Sequence, residues 1–300
     1  MFFNNDIIDM NSWSAIFQSL SVFDPLIMKI FKDNNLEYQE PKNCEPGSNA
    51  VFKVGKYIIK IFAPDEAQLG SSIQSYEIEK NGMNMFKMMG LPTPKIYAYG
   101  IFNDKYPFPY IIMEFINGIT LKDCNESLTN NEKENIGKEL RRVTSLINKC
   151  SHLKMFDIKN NQIIDKRWEN FPESFQKERL EYLKHSNKSP KVFIHGDLTN
   201  DHIIVKDNGE IQIIDFADSR NGIIEEEYAT LISEAFQYNP AYLFGFFANY
   251  ENCIIIDTCI SGMLTHIYGA NIIKEKIEPE KIISINALKI ELNKLMSTYV

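Results

Sequence analysis

The chain has 300 residues, 44% of them hydrophobic, and carries a formal net charge of −8. Its length accommodates one large domain or two modest ones, each with a buried core. The acidic balance argues against a nucleic-acid partner, because nucleic-acid surfaces need clustered Lys and Arg to neutralise phosphate groups. An acidic surface suits cationic ligands, although an ordinary acidic cytoplasmic protein explains the charge as well.

The cysteines and the apolar segments predict a cytoplasmic protein with no membrane partner. The five cysteines form no Cys-x-x-Cys pair, so we expect neither a disulfide framework nor a zinc site. Residues 1–6 lack the basic and apolar regions of a signal peptide. The most apolar segment, 241–248, is far too short to span a bilayer. We expect a monomer or weak dimer.

The first 115 residues are predicted to form a β-rich unit with leading helices. Apolar residues at helical spacing before and after Pro25 predict two short helices. Strand-forming residues flank a predicted tight turn at Val54-Gly55-Lys56. The predicted elements are the two helices within 12–32, strands within 36–62, a helix over 66–89 that ends at Gly90, and strands over 95–102 and 109–115.

From residue 116 onward the pattern is mostly helical. Thr129 followed by Glu132 is a capping-box signature that opens a helix with one apolar face. Further helices are predicted over 223–250, 254–274 and 279–298.

A hairpin signal lies between Val192 and Ser219, where two apolar, β-branched runs flank Lys206-Asp207-Asn208-Gly209-Glu210. Asn-Gly in such a place indicates a two-residue type I′ turn, which needs positive φ at both central residues. In that register Ile203 pairs with Ile214.

The same register places three polar residues together. His202 then lies opposite Asp215, and Asp197 lies on the loop just before the first strand. Phosphoryl transfer from a nucleotide requires this arrangement, in which one carboxylate acts as a base and a second holds a metal ion.

These segments resemble a known family. His195-Gly196-Asp197 resembles the catalytic loop of aminoglycoside phosphotransferases, the small-molecule relatives of protein kinases, and Ile214-Asp215-Phe216-Ala217-Asp218 resembles their metal-binding segment. The resemblance runs from about Gly47 to Tyr228. It implies that Asp197 orients the substrate hydroxyl, that Asp215 holds Mg²⁺, and that ATP or GTP is the phosphate donor.

The resemblance also implies an architecture. This is an α+β, bilobal protein-kinase-like fold, with a small β-rich N-terminal lobe over 1–115 and a larger, mostly helical C-terminal lobe over 116–300. His195 belongs to the catalytic loop, where its expected role is to brace the loop and the metal segment, with a proton shuttle as the alternative.

One position departs from the common family pattern. Most members carry Asn five positions after the catalytic Asp, whereas this chain has His202. Mg²⁺ prefers hard oxygen ligands to imidazole. The 2″-aminoglycoside, macrolide and hygromycin phosphotransferases resemble this chain in having His there. The resemblance therefore implies His202 and Asp215 as metal ligands, with Asn200 as another candidate.

The nucleotide half of the site is predicted from the first lobe. The small-residue turn Gly47-Ser48-Asn49-Ala50 lets backbone N–H groups approach phosphate oxygens, although an ordinary β-turn has the same composition. Lys60 shares a strand face with Ile58 and Phe62 and matches the family lysine that pairs with the α- and β-phosphates. An edge lysine in solvent is the alternative.

Two further parts of the nucleotide site follow from the resemblance. Glu79 is the expected partner of Lys60, with Glu77 left open. Met113 is expected to line the adenine pocket, while backbone groups near Glu114 and Ile116 bond the purine edge; a buried strand without a ligand is the alternative.

The acceptor is expected to be a small hydroxyl compound, with a positive charge. Carboxylates and aromatic residues after the metal segment, Glu234 among them, suit an amino sugar, although a solvated acidic helix start explains the glutamates as well. Asp218 is also a candidate helix cap. The candidate acceptor residues are Asp201, Asp218, Glu226 and Glu227.

The leading functional hypothesis is an ATP- or GTP-dependent kinase of an aminoglycoside-like compound, hence an antibiotic-resistance enzyme. The alternatives are a metabolic kinase of the same fold acting on choline, homoserine, a thiosugar or a macrolide, and a nucleotide-binding protein without kinase turnover. A metal-dependent hydrolase is a further reading, but it leaves Lys60 without a role.

Overall fold

The computed structural model forms two compact units, Met1–Asn117 and Gly118–Val300. Their boundary lies two residues after the predicted one at 115/116. The predicted α+β class is confirmed, since an antiparallel sheet dominates the first unit and helices dominate the second. The residues that the structure describes are 1–149, 166–186, 190–248 and 251–297.

The first unit is built on one antiparallel sheet with strand order β1-β2-β3-β5-β4. Val54 pairs with Tyr57, so Gly55 and Lys56 form the predicted tight turn. Gly55 adopts φ +61°, and a Cβ there would come within 2.9 Å of the Gln39 side chain. The strands are β1 (Lys42–Asn43), β2 (Ala50–Val54), β3 (Tyr57–Ile61), β4 (Ile96–Asn103) and β5 (Pro107–Glu114).

The helices of the first unit confirm the predicted number and shift the boundaries. The two leading helices are separated at residues 15–19, and Pro25 lies inside the second of them. A proline inside a helix costs about 3 kcal/mol. Burial of five apolar side chains at roughly 1.5–3 kcal/mol each outweighs that cost. The helices are α1 (Met10–Ser14), α2 (Leu20–Asp33) and α3 (Ser72–Met88).

Helix α3 begins six residues later than predicted. Residues 65–67 form a short 3₁₀ turn, and Ser71 then caps α3 by accepting the N–H of Gln74. The helix ends as predicted before Gly90, which adopts φ +66°.

The two faces of the sheet carry different residues. Because side chains alternate along a strand, Ile59 and Ile61 join α2 in one apolar core, while Lys60 points to the opposite face. Lys60 pairs with Ile111, and Ile58 pairs with Met113. Met113 and Lys60 therefore share one face of the sheet.

The second unit contains two small sheets, one of three strands in the order β6-β8-β9 and one of two strands. The strands are β6 (Ile119–Thr120), β7 (Val192–Ile194), β8 (Ile203–Val205), β9 (Ile211–Ile213) and β10 (Arg220–Gly222).

The hairpin between β8 and β9 has a different register from the predicted one. Ile203 pairs with Ile213, not Ile214, and the loop spans Asp207 to Gly209. Only Gly209 takes a positive φ, +81°, which is the pattern of a three-residue loop rather than a type I′ turn. The Asn208 side chain instead accepts the N–H of Glu210 at 3.0 Å, a local bond that favours this turn.

The helices of the second unit are more interrupted than predicted. The capping box of Thr129 and Glu132 is confirmed at the start of α5. The predicted helix over 223–250 is broken at Gln237 and Tyr238, which adopt φ +49° and +61°. A new helix then starts with Pro240 in its first turn, the position that proline favours.

Similar breaks divide the other predicted helices. The segment 254–274 forms two helices, and the last helix starts at Ile285 after a 3₁₀ turn. Residues 249–250 and 298, which belong to predicted helices, lie outside the described residues. The helices are α4 (Leu121–Cys124), α5 (Asn130–Ile147), α6 (Glu173–Ser186), α7 (Ile224–Thr230), α8 (Pro240–Phe247), α9 (Asn252–Thr265), α10 (Gly269–Lys276) and α11 (Ile285–Ser297).

Cys44, Cys124, Cys253 and Cys259 are free thiols, and Cys150 lies outside the described residues. Within the described ranges, every helix is too short or too polar to cross a bilayer.

Helices α5 and α8 pack in close contact at glycines. A Cβ at Gly245 would lie 2.0 Å from the carbonyl oxygen of Glu134. We expect Gly245→Ala to lower the free energy of unfolding by about 1–3 kcal/mol, because the backbones must move apart. Chemical denaturation measures the loss. Gly47→Ala is the control, since a Cβ there meets no atom within 4 Å; equal midpoints for the two variants would contradict the expectation.

Candidate active site

The candidate catalytic loop follows β7 and needs a glycine. Gly196 adopts φ +84°, and a Cβ at this position would lie 2.3 Å from both the Asp218 carbonyl oxygen and the Arg220 guanidinium. The backbone N–H groups of His195 and Gly196 donate to the two carboxylate oxygens of Glu227, at 3.2 and 3.0 Å. Glu227 is fully buried, so this carboxylate anchors the loop from the protein interior.

Glu226 and Glu227 are therefore not placed as acceptor contacts. Glu226 is buried and bonds Arg220 at 2.8 Å. Arg220 in turn donates to the carbonyl oxygens of Gly196 and Asp218 at 3.4 and 3.1 Å. Burial raises the pKa of Glu227 to about 7, although its two N–H donors act in the opposite direction. These two glutamates at the acidic start of α7 thus face the interior, and a role for them as acceptor contacts stays a prediction.

His195 braces the loop from a buried position. Its Nε2 lies 3.1 Å from the Ile214 carbonyl oxygen, and its Nδ1 accepts the N–H of Asp197 at 3.4 Å. The ring also packs against Phe216, with centroids 4.7 Å apart. These contacts link the catalytic loop to the 214–216 segment, which fits the expected bracing role better than direct chemistry.

A second histidine, which sequence reasoning missed, supports the same loop. His266 is buried at the end of α9, and its Nε2 lies 3.2 Å from the Gly196 carbonyl oxygen. Its Nδ1 accepts the N–H of Tyr268 at 3.1 Å. Burial, reinforced by the charge of Arg220, lowers the pKa of His266 to about 3.

This buried histidine predicts acid lability. The folded-state pKa of about 3 lies below the ordinary value of 6.5, so neutral His266 stabilises the fold above pH 6.5. That contribution, on the order of 5 kcal/mol, is lost as the pH falls from 6.5 towards 3. We expect His266→Gln to flatten the pH dependence of the free energy of unfolding in this window, as measured by denaturant titration. His185→Gln, at an exposed position, should leave the pH dependence unchanged; an equal change in both variants would contradict the assignment.

Asp197, His202 and Asp215 lie together, as the motif predicts. His202 Nδ1 donates to the Asp197 backbone carbonyl at 2.7 Å and lies 3.3 Å from Asp197 Oδ2. His202 Nε2 lies 3.8 Å from Asp215 Oδ2. Asp215 stands one residue beyond its predicted pairing position, and it adopts φ +60°. A non-glycine residue in this left-handed region is strained, and such strain clusters at functional sites.

His202 and Asp215 offer two protein ligands, which suits a cation whose other ligands come from substrate and water. Because His202 Nδ1–H is donated to a carbonyl, Nε2 keeps a lone pair for a metal, the usual arrangement for ligating histidines. The described residues contain no group of three or more His, Cys, Asp or Glu side chains poised for a metal ion. Mg²⁺ commonly takes only one or two protein ligands and completes its shell with substrate phosphates and water.

The pKa of Asp197 is raised into the range that suits a general base. Burial, with additional repulsion from Asp218 and Asp215, raises the pKa of Asp197 to about 6, while His202 and Arg220 oppose that shift. A base with a pKa near the working pH transfers protons efficiently.

Asp201 and Asn200 lie beside this group. Asp201 forms an exposed ion pair with Lys122 at 3.1 Å, and the Asn200 carbonyl accepts the Lys122 N–H at 3.2 Å. Asp201 and the half-buried Asp218 stay predictions as acceptor contacts.

A third acidic side chain, within electrostatic range of Asp197, lies on a distorted helix. Glu234 lies in a π-helical turn, Leu231–Ala235, a feature that is frequent at functional sites. Burial raises the pKa of Glu234 to about 7, and the charges of Asp197 and Glu275 contribute. Nearby, the buried Tyr238 hydroxyl bonds no group in the described part of the chain.

The first unit contains a buried ion pair on the face of the sheet opposite the α2 core. Lys60 Nζ lies 2.5 Å from Glu79 Oε2, and the two residues are 4% and 1% exposed. Glu77 instead pairs with Lys80 at 2.6 Å. Of the two candidates left open by the sequence, the structure therefore pairs Glu79 with Lys60.

The predicted phosphate turn and hinge also belong to the first unit. The Asn49 side chain accepts the Ala63 N–H at 3.1 Å, which fixes one end of the Gly47–Asn49 turn. The Glu114 carboxylate accepts the Lys95 N–H at 3.3 Å. The N–H of Ile116 meets no acceptor among the described residues and is free to bond a ligand.

Comparisons with known proteins identify the family and the fold. Residues 46–257 match the phosphotransferase enzyme family. No curated protein sequence matches the chain.

Solved structures share the fold, as the resemblance implied. The GDP complex of wild-type aminoglycoside 2'-phosphotransferase-IIIa superposes with a TM-score of 0.58 at 15% identity, covering 94% of this chain and 100% of that chain. ADP-bound aminoglycoside phosphotransferase APH(2'')-Ib gives 0.59 at 15% identity, with 91% and 96% covered. Choline kinase LicA from Streptococcus pneumoniae gives 0.57 at 18% identity, with 92% and 99% covered.

Proposed function

Since the chain belongs to the phosphotransferase enzyme family, we propose that it transfers the γ-phosphoryl group of ATP or GTP to a hydroxyl of a small cationic molecule, such as an aminoglycoside. The observation that carries this proposal is the convergence of Asp197 and Asp215 on the imidazole of His202. It joins a candidate base to a candidate metal ligand through one side chain.

The chemistry requires positioning and charge stabilisation more than covalent participation. Asp197 orients the acceptor hydroxyl and takes its proton as the oxygen attacks the γ-phosphorus, and the bond from that phosphorus to the β–γ bridging oxygen breaks to release the nucleoside diphosphate. Lys60, held by Glu79, offsets charge on the α- and β-phosphates. Asp215 and His202 would hold Mg²⁺, which supplies neutralisation of the β- and γ-phosphate charge.

The acidic surroundings of Asp197 favour a cationic acceptor. The negative charges of Asp197, Glu275 and Asp201 all act on Glu234, and the Tyr238 hydroxyl, which bonds no group among the described residues, adds a polar group. A bound ammonium group would relieve this crowding of negative charge. The proteins of similar fold include phosphotransferases named for aminoglycosides and for choline, and both acceptors are cations.

Groups in the first unit and the same neighbours both favour a nucleoside triphosphate as the phosphate donor. The turn at 47–49, the Lys60–Glu79 pair and the free N–H of Ile116 are the groups that a nucleoside triphosphate would bind. Two of the neighbours are nucleotide complexes, one with GDP and one with ADP. We propose both ATP and GTP as candidate donors.

The test is nucleotide-dependent thermal stabilisation with Mg²⁺, followed by a panel of acceptors measured by release of nucleoside diphosphate. We expect stabilisation by a triphosphate, and turnover with a cationic acceptor that Glu234→Gln weakens through KM. Turnover with homoserine, a thiosugar or a macrolide alone would favour the metabolic alternative. Stabilisation without turnover across the panel would leave a nucleotide-binding protein. Absence of both stabilisation and turnover would overturn the proposal. Resistance of cells to an aminoglycoside, and location in the cytoplasm as a monomer or weak dimer, are proposed with the leading function.

A further inference from the structure

A buried tryptophan from the first helix reaches the predicted phosphate turn. Trp13 is 1% exposed, and its indole N–H donates to the backbone carbonyl of Ser48 at 2.9 Å. Ser48 lies between Gly47 and Asn49, in the middle of the turn. Among the residues that the structure describes, no other side chain donates to a backbone carbonyl of this turn.

The position of Trp13 is set by its own surroundings. Asp9 and Ser12 form a capping box at the start of α1, and this box fixes the helical turn that carries Trp13. The indole packs edge-on against Phe23 of α2, with centroids 5.9 Å apart. The donor that meets Ser48 is therefore held by the apolar core and does not depend on the turn itself.

This bond fixes the direction of the next N–H. The described chain contains no cis peptide bond, and the C=O and N–H of a trans peptide point in opposite directions. Because the Ser48 carbonyl points to Trp13, the Asn49 N–H of the same peptide points away from it. The Asn49 side chain is anchored separately through Ala63, and the described residues offer the Asn49 N–H no acceptor.

We propose that Trp13 is a positioning residue for the nucleotide phosphates. It holds the Ser48 carbonyl away from the triphosphate and leaves the Asn49 N–H directed at a phosphate oxygen. This inference rests on the proposed function, namely that the turn at 47–49 binds phosphates. Backbone N–H groups of such turns bind anions only when the peptides are turned this way, because a carbonyl dipole facing a phosphate repels it.

The first test removes the donor and keeps the ring. Trp13→Phe is compared with wild type and with Trp168→Phe, which alters the other tryptophan of the chain, in the second unit. Dissociation constants are measured at fixed Mg²⁺ for ATP and adenosine, or for GTP and guanosine if that is the donor. We expect Trp13→Phe to weaken triphosphate binding by about three- to tenfold, the value of one hydrogen bond, with nucleoside affinity unchanged and Trp168→Phe binding both as wild type does.

The paired ligands separate positioning from general loss of structure. Equal weakening of nucleoside and triphosphate, or no weakening of either, would overturn the role of Trp13 and leave the proposed kinase intact. Absence of triphosphate binding by the wild-type protein would overturn the proposed function itself, and this inference with it.

A second measurement covers failure of Trp13→Phe to fold. In the Trp168→Phe protein, Trp13 is the only tryptophan, so its fluorescence reports on the turn. We expect the emission to change on saturation with triphosphate and to stay constant with nucleoside. Constant emission with both ligands, in a protein that binds triphosphate, would overturn the inference.

Discussion

Replacement of Asp197 by Asn is expected to lower kcat by about 10²- to 10⁴-fold, the usual contribution of a positioned general base. Asn has the shape of Asp but takes no proton from the acceptor hydroxyl. The loop should keep its geometry, because residues 195–197 are held through backbone N–H groups that donate to His195 and Glu227. Triphosphate affinity is therefore expected to stay within about twofold of wild type, well under 1 kcal/mol.

The measurement is steady-state release of nucleoside diphosphate, together with triphosphate affinity by thermal shift. Asp207→Asn is the matched control: it makes the same chemical change at an exposed loop residue of the same hairpin and should leave kcat unchanged. An Asp197→Asn enzyme with wild-type kcat would remove the catalytic assignment.

The second large effect is expected at Lys60. Lys60→Met removes the charge that we propose pairs with the phosphates, so triphosphate affinity should fall by at least about tenfold, or 1.4 kcal/mol. The same change leaves Glu79 buried without this partner. Breaking one side of a buried ion pair costs about 3–5 kcal/mol of unfolding free energy, which denaturant titration measures.

A double variant separates the two effects of this substitution. In Lys60→Met/Glu79→Gln the buried carboxylate charge is also gone, so we expect stability to recover most of the loss while triphosphate binding stays weak. Lys80→Met provides the control on α3, the helix that carries Glu79, because the pair of Lys80 with Glu77 is partly exposed and should be worth less than about 1 kcal/mol. Recovery of triphosphate binding in the double variant would contradict a phosphate role for Lys60.

The sequence predicts the catalytic half of the site because its parts lie in one short segment. Asp197, His202 and Asp215 flank a single hairpin, so a local turn brings them together. The prediction tolerates an error in register, since the left-handed backbone at Asp215 still places its carboxylate near His202. The turn type was wrong because Asn-Gly fits both a two-residue loop and a three-residue loop.

The supports of the site were beyond sequence reasoning for physical reasons. An acidic helix start is normally solvated, so nothing local indicates that Glu227 points inward to two backbone N–H groups. His266 is distant along the chain and meets Gly196 only after α9 packs. The choice of Glu79 over Glu77 depends on which side of α3 is buried, which a weakly amphipathic helix leaves open.

The dependence of the catalytic loop on His266 also bears on synthesis of the protein. The sheet of the first unit has all its strand partners by Glu114, so that unit is able to fold early on the ribosome. The loop at 195–197 receives one of its two imidazole supports only from residue 266. A nascent chain could thus complete the fold of its first unit well before residue 266 emerges to support the loop, and phosphate transfer would begin only after that point.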